Sequence, residues 1–483
     1  MSTLSELIPS GGTQNNIEFV AQGTLANGQT VGLRSDGKVE AIAGQSGSVG
    51  TKVAFNSGLA QQIAATYDSA NNKVVLVYQD SSNSYYGAAI VGTVSGTAIT
   101  FGSEVVFLSN TVQGPVIAFD SSSNKVVISY YYYTGAANQG QAIVGTVSGT
   151  SISFGSAVNI ASGAISTYAT ITYDSNANKT VISYRDGANG DKGTSIVGTV
   201  SGTSISFGTP VIYNAANSVY NSSTFDSANN KVIIAYQDYG NSTYGSAVVG
   251  TVSGTSISFG TSVTFSNNVA VVGYVSTTFD SSLNKVVIAY TGASNYGYAV
   301  VGTVSGTSIS FGTPVVFSSA GNAFFSSTVF DSVSNKIVIS FRDDSVANSG
   351  TVITGTVSGT SISFSGQQVY NSSSTDIAAV FDVNANATVS AYYDGANSNV
   401  GTASVTKTAF TNATSFIGIT NAAISSGATG EVAVKGGLSI NQSSLTIGST
   451  YYVQDNGTVS TTSSSNKAGK AISTTALNLV DPT

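Results

Sequence analysis

The pattern of apolar and polar residues repeats along the chain in units of about fifty residues. In one unit, a short strand pattern at residues 276–280 ends at an aspartate, and the β-branched run 285–290 follows it. Residues 298–304 then alternate apolar and small side chains, and residues 308–317 carry Gly312 and Pro314 in their middle. These patterns predict β-strands, and no segment has a helical period. Each unit therefore predicts four strands, the outer one with a bulge.

An aspartate ends the first predicted strand of each unit, and these aspartates recur every 51 to 54 residues. A fixed period of this size is typical of a repeat architecture. Seven units of four antiparallel strands predict an all-β fold, a seven-bladed β-propeller. A β-solenoid is the alternative, but its rungs are usually shorter and rarely contain two tight hairpins. The marker aspartates are Asp68, Asp120, Asp174, Asp226, Asp280, Asp331 and Asp382.

Two turns are nearly constant among the units. In residues 280–285 the aspartate can accept hydrogen bonds from free backbone N–H groups, and the asparagine tolerates a left-handed backbone. The lysine that follows faces the aspartate across the hairpin, although the seventh unit has Ala387 at this position. Residues 304–307 predict a two-residue hairpin loop with glycine at positive φ. The aspartates could also suggest calcium sites, but calcium loops gather several acids, so we interpret them as turn residues and expect no metal.

The segments that flank the repeats predict how the propeller closes. Residues 50–55 match the end of a unit, whereas the seventh unit degenerates after Val405. We therefore expect the N-terminal segment to supply the outer strand of the seventh blade, which leaves no open sheet edge. The predicted domains are an N-terminal β-segment of an attachment domain at 1–46, the propeller at 47–410, and the C-terminal β attachment domain at 411–483.

The composition excludes most kinds of catalytic chemistry. The 483 residues include no His, no Cys and no Trp, so a His- or Cys-based nucleophile, a disulfide and the common zinc and iron sites are excluded. We expect a non-enzymatic protein without cofactors. Paired carboxylates could still hydrolyse glycosides. The aspartates after the second strand recur in five units, however, which is typical of a repeat pattern rather than of one catalytic pair.

The charge pattern also limits the partners. Charged residues make up only 8% of the chain, and the formal net charge is −7. The absence of basic runs argues against nucleic-acid binding. The longest apolar stretches, such as residues 126–133, are too short to span a membrane, so we expect no membrane insertion. Residues 1–12 lack the basic and apolar segments of a signal peptide, and we expect none.

The loops after the second strands vary from unit to unit, and we expect the function to lie there rather than in the constant turns. They combine tyrosine, aspartate and asparagine, which suit glycan binding by ring stacking and hydrogen bonding but are also ordinary turn formers. The candidate ligand-binding residues are Tyr85, Tyr86, Asp80, Tyr131, Tyr132, Asp186, Asp238, Tyr239, Tyr244, Tyr296, Tyr298, Asp343 and Asp394.

The two chain ends resemble a module of tailed-bacteriophage structural proteins. Residues 23–39 contain Gly-x-x-x-Asn-Gly-x-x-Val-x-Leu-x-x-Asp-Gly-x-Val. Residues 448–457 contain Gly-x-x-Tyr-Tyr-Val-Gln-x-x-Gly, and residues 468–473 read Ala-Gly-Lys-Ala-Ile-Ser. The resemblance covers about a quarter of the chain, and the propeller repeats look like those often attached to this module.

The resemblance implies a virion protein, assembled in the host cytoplasm, that serves as a tail fibre, an appendage or a capsid decoration. Its terminal domain would bind other virion proteins, and the propeller would project outward towards host-surface glycans. Oligomerisation with copies of the same chain stays open, and the module has no catalytic residues to transfer. Similar repeats also occur in bacterial surface proteins, so the alternative is a glycan-binding lectin or adhesin of a bacterial surface.

Overall fold

A computed structural model describes residues 15–34, 36–42, 44–45, 47–133, 138–164, 168–266, 270, 273–411, 415–454, 456–464 and 466–480. The fold is all-β: within these ranges the regular elements are strands and short 3₁₀ turns. The chain divides into a terminal unit, Met1–Gly47 with Ala409–Thr483, and a repeat unit, Ser48–Thr408. No helix in the described part of the chain could span a membrane.

The repeat unit contains seven antiparallel four-stranded repeats. In each one, the first strand pairs with the second, the second with the third, and the third with the fourth. The second strand lies between two neighbours, and its β-branched side chains are buried on both faces, as in residues 286–290. The predicted strand order within each repeat is therefore confirmed.

The bounds of the strands recur with the repeat. The first strands are Val53–Asp68, Val105–Asp120, Thr170–Asp174, Val211–Asp226, Gly273–Asp280, Ala323–Asp331 and Ser374–Asp382. The second strands are Lys73–Asp80, Lys125–Tyr133, Lys179–Asp186, Lys231–Asp238, Lys285–Thr291, Lys336–Asp343 and Ala387–Asp394. The third strands are Tyr86–Ser95, Asn138–Ser148, Lys192–Ser201, Tyr244–Ser253, Gly297–Ser305, Ser349–Ser358 and Val400–Lys407. The fourth strands begin with Ala98–Phe101, Ser151–Phe154, Ser204–Phe207, Ser256–Phe259, Ser308–Phe311, Ser361–Asn371 and Ser48–Val49.

The bulge predicted in the fourth strand is a register shift in the sixth repeat, where Ser361–Asn371 is continuous, and a complete break in the fifth. In the fifth repeat, Ser308–Phe311 and Val315–Ser318 both pair with the third strand, on either side of Gly312. A Cβ at Gly312 would lie 1.9 Å from the carbonyl oxygen of Thr360 in the next repeat, so only glycine permits this close contact. In other repeats the second part of the fourth strand is also a separate segment that pairs with the third strand. These segments are Val158–Ala164, Val263–Thr264 and the starts of the 16-residue strands Val53–Asp68, Val105–Asp120 and Val211–Asp226.

Residues from before the first repeat complete the seventh, as the sequence predicts. The third strand of the seventh repeat pairs with Ser48–Val49, which brings Thr406 opposite Val49. It also pairs with the start of Val53–Asp68. The first strand of each repeat contacts the first strand of the next, and that of the seventh contacts that of the first. One hydrogen bond across this last junction runs from the Gln62 backbone N–H to Asp376 Oδ2, at 3.1 Å.

The apolar core lies between successive sheets rather than in one centre. Val75 and Val77 of the first repeat, for example, share a cluster with Ile128 of the second. An aromatic ring from the second strand packs against a ring near the end of the preceding repeat's fourth strand. Tyr290, for example, packs against Phe265, which directly follows Val263–Thr264, at 5.3 Å between centroids. Burial of each such side chain contributes about 2 kcal/mol. The fully buried second-strand rings are Tyr78, Tyr130, Tyr184, Tyr236, Tyr290, Phe341 and Tyr392.

The terminal unit joins strands from both chain ends in one sheet. The strand order of this sheet is Asn16–Val20, Thr429–Val434, Phe416–Thr420, Thr30–Leu33 and Val39–Ala41. The order in a second sheet is Leu438–Ser439, Leu477–Leu479, Lys467–Ala471, Thr450–Val453 and Val459–Ser460. A two-stranded sheet pairs Phe410–Thr411 with Gly44–Gln45. The unit boundaries lie within two residues of those drawn from the sequence.

A short internal repeat in the terminal unit was missed in the sequence analysis. Residues 25–39, 424–438 and 445–459 each begin with a buried aliphatic residue and contain two glycines nine residues apart. These glycines adopt a left-handed backbone with φ between 76° and 84°, which favours glycine. Two of the three copies overlap the segments that resemble the phage module. The six glycines are Gly28, Gly37, Gly427, Gly436, Gly448 and Gly457.

Candidate functional site

The constant turns form one end of every sheet in the repeat unit. Asp280 is 1% exposed, and its Oδ1 accepts hydrogen bonds from the backbone N–H groups of Ser282 and Leu283 at 2.9 and 3.1 Å. Asn284 has a φ of 54°, and Lys285 lies opposite Asp280 in the strand register. The predicted turn chemistry is confirmed, and these aspartates serve the hairpin. The left-handed asparagines are Asn72, Asn124, Asn178, Asn230, Asn284, Asn335 and Asn386.

The aspartates predicted as ligand-binding residues lie at the opposite end, where each holds its own loop. Asp80 is 3% exposed, and its Oδ1 accepts hydrogen bonds from the backbone N–H and the hydroxyl of Ser82, at 3.0 and 2.5 Å. A carboxylate used in this way has little surface for a ligand. The sequence could not distinguish this role, since both roles place aspartate after a strand. The same bond, from the N–H two residues further on, is accepted by Asp186, Asp238, Asp343 and Asp394.

Asp186 differs from the other loop aspartates because it is not fully buried. Partial burial raises its pKa, while the backbone N–H groups of Ala188 and Asn189 act in the opposite direction. Arg185 beside it donates to Asp191 Oδ2 at 2.6 Å and to Asn217 Oδ1 at 2.9 Å. The polar groups of this loop are thus bonded mainly to one another.

The predicted loop tyrosines separate into exposed and buried groups. Tyr85 and Tyr239 are 49% and 53% exposed, and Tyr133, which the prediction omitted, is 58% exposed. Among the described residues these are the exposed aromatic side chains; Tyr85 and Tyr239 follow a second strand, and Tyr133 is the last residue of one. Tyr131 is buried, and its ring lies 3.3 Å from the position that a Cβ on Gly114 would take. The partly buried predicted tyrosines are Tyr86, Tyr132, Tyr244, Tyr296 and Tyr298.

A second group of residues at the same end was missed in the sequence analysis. Six residues before each marker aspartate there is a residue with φ between 51° and 75°; it lies in the first strand, except that Tyr168 precedes its strand by two residues. In six of the seven repeats the strand register shifts at this point, which is a β-bulge. The sequence feature that could have revealed these residues is that this position varies from repeat to repeat, whereas the segments on either side of it are more constant. The residues are Gln62, Gly114, Tyr168, Tyr220, Tyr274, Phe325 and Asp376.

Six of these bulge residues line one pocket of about 330 Å³ within the repeat unit; Gly114 does not. Four aromatic rings follow one another along its wall, with centroid distances of 4.7 Å from Tyr168 to Tyr220, 5.6 Å from Tyr220 to Tyr274 and 4.6 Å from Tyr274 to Phe325. The pocket lies at the variable end of the sheets, because the bulge is opposite the last residues of the second strand. Asp376 completes the lining beside Gln62.

The electrostatics of the pocket depend on Asp376. Burial raises the pKa of this carboxyl group, whereas the Gln62 backbone N–H and the nearby charge of Arg342 lower it. Arg342 donates to Asp344 Oδ1 at 2.7 Å, and its guanidinium lies 5.2 Å from the ring centroid of Phe325. Burial also raises the pKa of Tyr220 to about 12, so its hydroxyl is neutral at physiological pH.

No family profile matches this sequence, and no curated protein sequence matches it. Similar solved structures include a mutant of AofleA from Arthrobotrys oligospora, with a TM-score of 0.42 and 9% identity over 72% of this chain and 97% of that chain. Another is a mutant of the Aleuria aurantia lectin in complex with α-methyl-L-fucoside, with a TM-score of 0.40 and 13% identity over 64% of this chain and 94% of that chain. Similarity at this level establishes no shared function.

Proposed function

We propose that residues 48–408 form a seven-bladed β-propeller and that the protein is a non-enzymatic carbohydrate-binding protein. Two features support the propeller. The first strands contact one another in chain order, and the seventh contacts the first. The fourth strand of the seventh repeat comes from residues before the first repeat, so the two ends of the repeat array share one sheet.

The observation that carries the binding function is the location of the exposed aromatic rings. Tyr85 and Tyr239 lie on the variable loops and Tyr133 ends the strand that leads into one, and no other described aromatic side chain is as exposed. A tyrosine ring offers an apolar face to the C–H face of a sugar and a hydroxyl for hydrogen bonding. Loops that differ on a constant frame are the usual place for recognition.

The hydrogen bonds of the loop carboxylates support a role without catalysis. A glycosidase needs two carboxyl groups that face the substrate across a short gap. Asp80, Asp343 and Asp394 are instead buried, and each accepts a bond from its own loop. Polysaccharide incubated with the protein over a range of pH should therefore stay intact.

A glycan array with the full chain tests the carbohydrate proposal. We expect the double variant Tyr85→Ala and Tyr239→Ala to bind its best glycan about thirtyfold more weakly, since each lost stacking contact is worth about 1 kcal/mol. Leu283→Ala is the matched control, because Leu283 is 47% exposed but lies on a constant hairpin. An array without any binding, or an equal loss in the control, would contradict the proposal.

The terminal unit supports a second proposal, that the protein is a virion component displayed on the particle exterior. Strands from both chain ends share its first sheet, and the segments that resemble the phage module carry its glycine turns. Ile447 and Ile472 are 64% and 53% exposed, and their neighbours Gly448 and Ala471 are joined by a backbone hydrogen bond of 2.8 Å. An exposed apolar pair of this kind suits docking to another virion protein.

Copurification with intact particles tests the virion proposal. We expect the native chain to remain with the particles, and the double variant Ile447→Asp and Ile472→Asp to fold but separate from them. Val333→Asp serves as the control, since this exposed residue lies on a constant hairpin of the repeat unit. A native chain found only free in lysate would contradict the proposal.

A further inference from the structure

The pocket lined by the bulge residues combines an aromatic wall with a single charged group. Tyr168, Tyr220, Tyr274 and Phe325 supply four neighbouring rings. Among the described residues of the lining, Asp376 is the only charged one. A volume of about 330 Å³ is at the small end of ligand pockets, so it suits a small molecule rather than a polymer.

Within the part of the chain that the structure describes, Asp376 forms no direct ion pair. Its hydrogen bond within the described residues comes from the Gln62 backbone N–H, at 3.1 Å to Oδ2. Arg342, whose charge acts on Asp376, is paired with Asp344 at 2.7 Å and stacked on Phe324 and Phe325 at 5.1 and 5.2 Å. One guanidinium and two carboxylates therefore leave one excess negative charge beside the rings. A partly buried carboxylate in this state favours a cationic ligand.

The amide groups of the lining are already bonded within the protein. Gln62 donates through Nε2 to Gln113 Oε1 at 2.9 Å and accepts a hydrogen bond from the Gly114 N–H. Asn221 donates to the carbonyl oxygen of Tyr168 at 2.9 Å and accepts from the Tyr213 hydroxyl at 2.9 Å. A neutral sugar would thus find few free amides for its hydroxyls. The aromatic faces and the carboxylate are what the pocket offers.

The backbone at these positions is strained for bulky residues, which indicates that the side chains themselves contribute to a binding site. Tyr168, Tyr220, Tyr274 and Phe325 have φ values of 75°, 52°, 53° and 53°, a region that bulky residues rarely adopt. Gly114 occupies the equivalent position in the second repeat, so glycine is compatible with this bulge. Strained conformations of this kind are concentrated at binding sites.

We propose that this pocket binds a small organic ammonium ion, with its charge beside Asp376 and its alkyl groups against the rings of Tyr168, Tyr220 and Tyr274. A quaternary or methylated ammonium suits it best, because such ions combine a diffuse positive charge with an apolar surface that packs on aromatic faces. This site is separate from the exposed tyrosines of the variable loops, so it does not depend on the proposed carbohydrate function.

Titration of the full chain with choline tests the proposal, with calorimetry and tyrosine fluorescence as readouts. Dimethylbutanol, the uncharged isostere of choline, provides the control ligand. We expect choline to bind at least about tenfold more tightly than the isostere, since the charge supplies both the ion pair and the cation–π contact. Asp376→Asn should weaken choline binding by about tenfold or more and leave the weak binding of the isostere unchanged.

Two further variants exclude trivial explanations. Asp36→Asn removes the same charge from an exposed residue of the terminal unit and should bind choline like the native chain. Tyr274→Leu removes one ring and should weaken choline binding severalfold, while unchanged circular dichroism confirms folding. Equal binding of choline and its isostere, native binding by Asp376→Asn, or no choline binding would overturn the proposal. Displacement of choline by a neutral methyl glycoside of equal affinity would assign the pocket to sugars and would also overturn it.

Discussion

Each repeat has two residues with a left-handed backbone, one in the turn after the first strand and one six residues before the marker aspartate. Their side chains differ: the first is constant and the second varies from repeat to repeat. At the constant end this residue is asparagine in all seven repeats, with φ between 50° and 54°. Six residues before the marker aspartate, the same backbone region holds Gln62, Gly114, three tyrosines, Phe325 and Asp376. Asparagine adopts this conformation at little cost, whereas a bulky residue loses about 1 kcal/mol or more. One end is optimised for folding, and the other presents particular side chains.

The largest expected effect on stability comes from the constant end. Asp280→Ala removes an acceptor of two backbone N–H groups and the Ser282 hydroxyl in a buried turn. Since bonds to a charged acceptor contribute more than neutral ones, we expect a loss of about 2–3 kcal/mol in the free energy of unfolding. Urea denaturation measures it. Asp280→Asn retains one acceptor oxygen and should lose less; a change below about 0.5 kcal/mol in Asp280→Ala would contradict the turn assignment.

The variable end should tolerate a change that the constant end would not. Tyr220→Gly relieves the left-handed strain, a gain of about 1 kcal/mol, but loses contacts with the rings of Tyr168 and Tyr274. We expect a net change within about 1 kcal/mol in the unfolding free energy and weaker choline binding. The reciprocal control, Asn284→Tyr, imposes the strain without the ring partners and should destabilise the chain by about 1–2 kcal/mol. Equal losses in both variants would remove the distinction between the two ends.

The smallest expected effect is the pH dependence of Asp376. Burial raises the pKa of this carboxyl in the folded chain, so the folded state holds its proton to a higher pH than the unfolded state does. Its stabilising contribution is complete below the unfolded pKa of about 3.9 and is lost as the pH rises through the raised folded pKa. Asp376→Asn should therefore be more stable than the native chain at neutral pH, and the difference should vanish in acid.

Urea midpoints measured from pH 3 to 7 check this expectation. Asp36→Asn is the comparison, since the pKa of this exposed carboxyl is lowered, first by the backbone N–H of Lys38. The difference in unfolding free energy between Asp36→Asn and the native chain should therefore not have the same sign as the difference for Asp376→Asn. A native chain that gains stability relative to Asp376→Asn as the pH rises would show that Asp376 is ionised and compensated in the folded state.

The sequence alone was sufficient for the features that depend on local chemistry. The marker aspartates, the left-handed asparagines and the irregularity of the fourth strand follow from turn preferences within a few residues, so seven copies of the pattern allowed them to be predicted. The closing segment was also readable, because residues 50–55 match the end of a repeat, and Val53 of this segment pairs with the third strand of the seventh repeat. The ligand-binding residues of the loops were predicted less well. Asp80 and Tyr131 were proposed to contact a ligand but are buried, because neighbouring strands determine the direction of their side chains.

Only the tertiary structure decided which variable residues meet. The bulge residues are more than fifty residues apart in sequence and differ in chemistry, so no local pattern connects Tyr168 with Tyr220 or Gln62 with Asp376. They become neighbours because the first strands lie side by side and the seventh returns to the first. Repetition in the sequence determined the strands and turns of each repeat. The packing of the repeats against one another brought an aromatic wall and a lone carboxylate into one pocket.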